Sequence, residues 1–182
     1  MSGKRPQNVK LRLSRGEWPL ARYLATRSPA PMPPVARADD DVLHVAKMTV
    51  ASTVARTVYV IDDEGRYLGA ITEGRLAQEV FAHLDPGLYV DQHAHATTRL
   101  LHLGKDVAKT PAGSLSELKH RPLGSRQTVA DAMRALYRAE IDELPVINED
   151  EELLGVIRSL DILREWVEDL LLAHGDETGS FY

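Results

Sequence analysis

The chain has 182 residues, of which 43% are hydrophobic, 27% charged and only 5% aromatic, so a globular core must be built mainly from Val, Leu, Ile and Ala. It contains no cysteine, which excludes disulfides, thiolate metal sites and thiol nucleophiles. The formal net charge of -5 conceals a basic start, where Lys4, Arg5, Lys10, Arg12, Arg15, Arg22 and Arg27 face a single acid, Glu17.

In chain order, residues 1–18 read as a basic arm, either solvated or folded back on the acidic remainder, with nucleic acid not expected as its partner. The start lacks the apolar core of a secretory signal, and no apolar run approaches the roughly 20 residues of a membrane span. A cytoplasmic protein without membrane insertion is therefore expected. Pro19–Arg27 forms a lead-in segment. Ser28–Pro34, with four prolines, reads as an extended connector. Asp39, Asp40 and Asp41 supply an N-cap for a helix over about 41–55, with Val42, Val45, Ala46 and Thr49 as its apolar stripe. Val58–Ile61 predicts a strand, 63–66 a turn with Gly65 suited to positive φ, Tyr67–Ile71 the returning strand and Glu73–Leu84 a helix.

Residues 85–114 read as a linker with a helix near 97–108. A second lead-in, Leu115–Pro122, follows. Thr128 then caps a helix with Val129, Ala132, Met133 and Leu136 on one face. Strand Pro145–Ile147, turn Asn148–Glu152, strand Leu153–Ile157 and a helix over about 160–173 complete the pattern. The stripe of that last helix is Leu163, Trp166, Val167, Leu170 and Leu171, and 174–182 form a tail.

These two series are copies. Tyr59–Ile71 lies over Pro145–Ile157 without a gap, 86 positions apart, with Val60/Val146, Ile61/Ile147, Leu68/Leu154, Gly69/Gly155 and Ile71/Ile157 identical. The predicted fold class is α/β (α+β), with two helix–strand–strand–helix repeats at 19–84 and 115–173. Each sheet leaves one apolar face, so the copies are expected to pack about a pseudo-two-fold axis.

The run Leu144-Pro145-Val146-Ile147-Asn148, an acidic turn, Leu153-Leu154-Gly155-Val156-Ile157 and Ser159-Leu160-Asp161-Ile162-Leu163 resembles a CBS domain, and two in tandem resemble a Bateman module. Tyr59 departs from the family, which usually has Pro there. The resemblance implies a non-catalytic regulatory module that binds an adenosine ligand such as AMP, ADP, ATP or S-adenosylmethionine in a cleft between repeats. It implies no required cofactor, and it implies signalling to a regulated protein not identified by the sequence. The family's ligand signature is Thr or Ser followed three residues later by Asp. The Asp accepts ribose hydroxyls, and the helix start donates backbone N–H to anionic oxygen.

The signature is divided here. The first copy reads Thr72-Glu73-Gly74-Arg75, with the hydroxyl but Arg75 for Asp. The second reads Arg158-Ser159-Leu160-Asp161, with the Asp but Arg158 for the hydroxyl. Arg158 suits phosphate. Arg56 and Thr57, like Asp142 and Glu143, match family positions facing the cleft, and the two acids oppose a polyphosphate. One asymmetric site near Asp161, Arg158 and Ser159 is thus expected. The structural reading of the same residues is that Thr72 and Ser159 are N-caps and Asp161 is a stabilising first-turn carboxylate.

The surplus stripe on the last helix predicts a homodimer. His93 and His95 are weak candidates for a metal, lacking a third ligand at defined spacing. No nucleophile elbow, Walker loop or HExxH motif is present, so catalysis is not expected.

Overall fold

The structure, a computed structural model, describes residues 14–27, 33–52, 56–83 and 109–175. After a 3-10 turn at Ser14–Glu17, the elements are α1 (Leu20–Thr26), β1 (Val35–Arg37), α2 (Val42–Ala51), β2 (Thr57–Ile61), β3 (Tyr67–Thr72) and α3 (Glu73–His83). There follow α4 (Ala112–Leu115), β4 (Leu123–Gly124), α5 (Val129–Ala139), β5 (Glu143–Ile147), β6 (Leu153–Arg158) and α6 (Ser159–Gly175). The predicted strands and helices are present, in an α+β arrangement with two three-stranded sheets, β1-β2-β3 and β4-β5-β6. The helix expected near 97–108 lies outside the described residues.

Local chemistry explains the element ends. The Asp41 carboxylate accepts from the His44 amide at 2.7 Å and starts α2. That helix ends at Ala51, not 55, because Ser52 is already extended. Thr128 and Asp131 form a reciprocal capping box at the start of α5. In the β2–β3 turn, Asp62 Oδ1 accepts from the Glu64 and Arg66 amides, Oδ2 accepts from the Arg66 guanidinium, and Gly65 takes φ +85°. Two strands were not anticipated. β1 pairs in parallel with β2, and β4 with β5, so α2 and α5 serve as the crossovers that parallel pairing requires.

The chain divides into two compact units. Among the described residues, one holds 33–52, 56–83, 109–121 and 150–153, and the other holds 14–27, 122–149 and 154–175. The lead-ins are therefore exchanged: the one before the first repeat packs with the second, and the one before the second packs with the first. In the first-repeat unit Val42 N donates to Thr110 O, Ala112 N to Asp40 O and Gly113 N to Ala38 O. In the second-repeat unit the same ladder reads Val129 N to Trp18 O, Leu20 N to Gln127 O and Ala21 N to Ser125 O.

The two cores correspond position by position. Val42, Val45, Val58, Val60, Ile71, Ala112 and Leu115 in one match Val129, Ala132, Leu144, Val146, Ile157, Leu20 and Tyr23 in the other. The helices are offset by one residue more than the strands, so the first copy carries one extra residue between helix and β2. Where Val45 becomes Ala132 and Leu115 becomes Tyr23, the volume lost from the helix is returned by the lead-in. The duplicated glycines mark where a lead-in crosses a strand. A Cβ on Gly69 would sit 3.2 Å from Glu117 backbone atoms, and one on Gly155 would sit 3.3 Å from Leu24 Cδ1. The Met133 side chain, predicted inward, is exposed, and α5 seals its core with Val129, Ala132 and Leu136.

Candidate functional site

In both units the last strand runs directly into the last helix, and the helix start is tied back at equivalent positions. Glu73 N donates to Arg56 O at 2.8 Å, and Ser159 N donates to Asp142 O at 2.9 Å. The seven predicted site residues fall into two sets. Arg56, Thr57, Thr72 and Arg75 lie in the first-repeat unit, and Arg158, Ser159 and Asp161 in the second.

In the first set, Thr72 Oγ1 accepts from the Arg75 amide at 3.2 Å and acts as the helix cap. Thr57 pairs in register with Thr72 across β2 and β3. Arg56 is exposed, with Nε 3.9 Å from a Glu73 carboxylate oxygen. Arg75 stands where the signature has its acid. It reaches Glu79 at 3.5 Å and, through Nε, Glu117 of the exchanged lead-in at 3.2 Å. A carboxylate that could accept a ribose hydroxyl is thus replaced by a cation already neutralised.

In the second set, Arg158 Nε lies 3.2 Å from Glu143 Oε2, so the acid expected to oppose phosphate instead holds the base expected to bind it. The Ser159 hydroxyl donates to Asp142 O at 3.3 Å. Asp161 is the buried charged residue of this core, 7% exposed in the first turn of the 17-residue α6. Arg27 neutralises it, with Nη2 2.7 Å from Oδ1.

Four residues not singled out as site residues from the sequence, Arg15, Tyr23, Arg27 and Glu165, complete the cluster. Arg27 lies over the Tyr23 ring at 5.5 Å. Arg15 pairs with Glu165, one turn beyond Asp161, at 3.1 Å. The Tyr23 hydroxyl is buried beside the Glu165 carboxylate, outside strict hydrogen-bond geometry. Burial first, and then the Glu165 charge, hold this phenol well above its ordinary pKa, while Arg27 pulls the other way. Tyr23 and Arg27 lie four residues apart on the lead-in, a spacing that puts them on one helix face. The described basic side chains of the N-terminal segment all meet partners in their own unit: Arg15 on Glu165, the exposed Arg22 over Trp18 at 4.1 Å, and Arg27 on Asp161.

Among the described residues no group of three His, Cys, Asp or Glu is placed to hold a metal, and His93 and His95 lie outside those residues. Among the described residues no helix is long and apolar enough to cross a membrane.

Two sheets of the same topology, each closed by a strand-to-helix junction and an exchanged lead-in, define a paired-repeat protein. The chain belongs to the CBS domain family, whose model matches residues 26–82 and 122–168 as a tandem pair. Its fold is similar to that of CbpB, solved in complex with c-di-AMP, at a TM-score of 0.67 and 20% identity over 94% of this chain and 99% of that one. It is similar also to the CBS domain of a CBS domain containing membrane protein from Sphaerobacter thermophilus, at a TM-score of 0.60 and 20% identity over 87% and 93%. A third similar fold is CBSX2, solved in complex with AMP, at 0.56 and 17% over 83% and 97%. No curated protein sequence matches the chain.

Proposed function

We propose that this chain is a non-catalytic regulatory module that binds an adenosine nucleotide or related ligand at the β6–α6 junction, and that Asp161 accepts the ribose hydroxyls. The observation that carries the reading is a buried carboxylate in the first turn of a long helix directly after the last strand. That is where the family signature has its acid. Arg158 and Ser159 stand beside it, and similar folds were solved with c-di-AMP, ATP and AMP. The first repeat contributes Thr72, Arg75, Arg56 and Thr57 to its own helix junction and lacks the acid. The regulated partner on this reading is a protein.

Calorimetric titration with AMP, ADP, ATP, S-adenosylmethionine and c-di-AMP tests the reading. Saturable heat is expected with at least one, weakened at least about tenfold in Asp161→Ala, the loss of a charged hydrogen-bond acceptor. Absence of heat with all five removes it.

A second reading, dimerisation without a ligand, is favoured by the exposed apolar side chains Leu163, Trp166, Val167 and Leu171 on α6. Sedimentation of the full chain is expected to give a homodimer, shifted toward monomer by Trp166→Glu.

A further inference from the structure

We propose that Arg27 is an internal ligand for Asp161, so that an adenosine compound gains the carboxylate only by displacing the C-terminal end of α1. The inference rests on the ligand reading above and adds its regulation. Its starting point is access. A ribose hydroxyl must come within about 3 Å of a carboxylate oxygen to donate to it. The Asp161 side chain is 8% exposed, and Arg27, itself 18% exposed, covers it at 2.7 Å. The acceptor and the cover are thus one closed pair.

Symmetry shows that the cover is a device of the fold rather than an incidental surface contact. Position 75 in the first copy corresponds to 161 in the second, and in each unit that helix residue is ion-paired with the exchanged lead-in. The polarity is reversed: the helix supplies Arg75 and the lead-in Glu117 in one, while the helix supplies Asp161 and the lead-in Arg27 in the other. The two latches differ in what backs them. Glu117 is also held to β3 by a pair of backbone bonds, Glu117 N to Ala70 O at 3.0 Å and Ala70 N to Glu117 O at 3.1 Å. Among the described residues no such pair ties α1 to β6.

The α1 segment is therefore anchored at one end and latched at the other. Its start is fixed by the Leu20 and Ala21 amides and by the buried Leu20 and Tyr23 side chains. Its end, from Ala25, is exposed except where Arg27 meets Asp161 and the Tyr23 ring. Apparent affinity is reduced by the fraction of molecules in which the latch is shut, so removing the latch tightens binding.

The test measures AMP, ATP and S-adenosylmethionine binding to the full chain and to Arg27→Ala, with amide hydrogen exchange over 20–27 followed in the wild type. Binding tightened about tenfold in Arg27→Ala is the expected result, since an opened latch raises the competent fraction. In the wild type, ligand is expected to speed exchange at 24–27 while 20–21 stay protected. This second measurement stands even if Arg27→Ala, which leaves Asp161 buried without its cation, folds poorly. Binding by the wild type with equal or lower affinity in the variant, or with exchange at 24–27 unchanged or slowed, overturns the latch and leaves the ligand reading standing. No binding by either protein overturns both.

Discussion

The two helix junctions follow one pattern and differ most sharply in the charge at positions 75 and 161. Both retain the strand, the backbone tie to residue 56 or 142, and the lead-in crossing over a glycine. They differ in which partner carries which charge. In the first unit a half-exposed Arg75 is shared between Glu79 and Glu117 in a junction locked by backbone bonds. In the second a single buried carboxylate meets a single arginine. The difference teaches that an ion pair at this position is needed to seat the lead-in, whereas the sign of the helix residue is free to vary. Only one sign leaves an acceptor for a hydroxyl.

The largest effect that separates the units should come from their lead-ins. Tyr23 fills the space that Leu115 fills in the other unit, opposite Ala132 where the other has Val45. Truncation of a fully buried aromatic costs about 3–5 kcal/mol, and of a leucine about 2–5, the outcome depending on how far the site collapses. Tyr23→Ala is expected to exceed Leu115→Ala, because Ala132 has no atoms with which to fill the gap. Urea unfolding of the two variants measures this, and equal losses would show that the lead-ins matter equally. Tyr23→Phe gives the opposite sign. It deletes a buried hydroxyl that lies outside strict hydrogen-bond geometry beside the Glu165 carboxylate, and is expected to raise stability by about 1 kcal/mol.

Next in size are the latches themselves. Coupling between contacting charges is about 0.5–3 kcal/mol, and exposed pairs fall at the low end. A double-mutant cycle on Arg27 and Asp161 is expected to give about 1–3 kcal/mol. One on Arg75 and Glu117, whose side chains are 28% and 40% exposed, is expected to give under about 1 kcal/mol. The charge-swapped pair Arg75→Glu with Glu117→Arg should recover most of what either single change loses. A larger coupling in the first unit would contradict the assignment of the second as the switch.

Much of this was legible in the sequence, and the rest was hidden for physical reasons. The repeats, their strands and the caps at Asp41 and Thr128 follow from period, turn chemistry and the ungapped match. β1 and β4 escaped because two or three residues carry no alternation to read. The lead-in exchange escaped because chain order gives no sign of which repeat a preceding segment will serve. The fold sets Pro19, Leu20 and Tyr23 against Pro111, Ala112 and Leu115, and leaves Leu118 exposed. For the same reason Arg27 read as one more base of a basic start. Its role depends on a residue far along the chain that only the fold brings to 2.7 Å.

The smallest expected difference concerns acid. Each unit holds a carboxyl of lowered pKa that its counterpart lacks: Asp62 in the first turn aligns with Asn148, and Asp131 in the second cap aligns with His44. Partial burial pushes the Asp62 carboxyl up, but the Arg66 amide and guanidinium and the Glu64 amide outweigh it and hold it below the ordinary 3.8. At Asp131 the Thr128 amide and hydroxyl, with Arg134 beside them, lower it. A carboxyl whose pKa is lower folded than unfolded contributes stability fully above the unfolded value and loses it as pH falls through the folded one. Below pH 4 both units should therefore weaken, each from a different place. Hydrogen exchange across that range in Asp62→Asn is expected to flatten the pH dependence of the first unit alone, and in Asp131→Asn that of the second alone. If either variant flattened both, the two units would be losing their acid stability as one cooperative body and not as two.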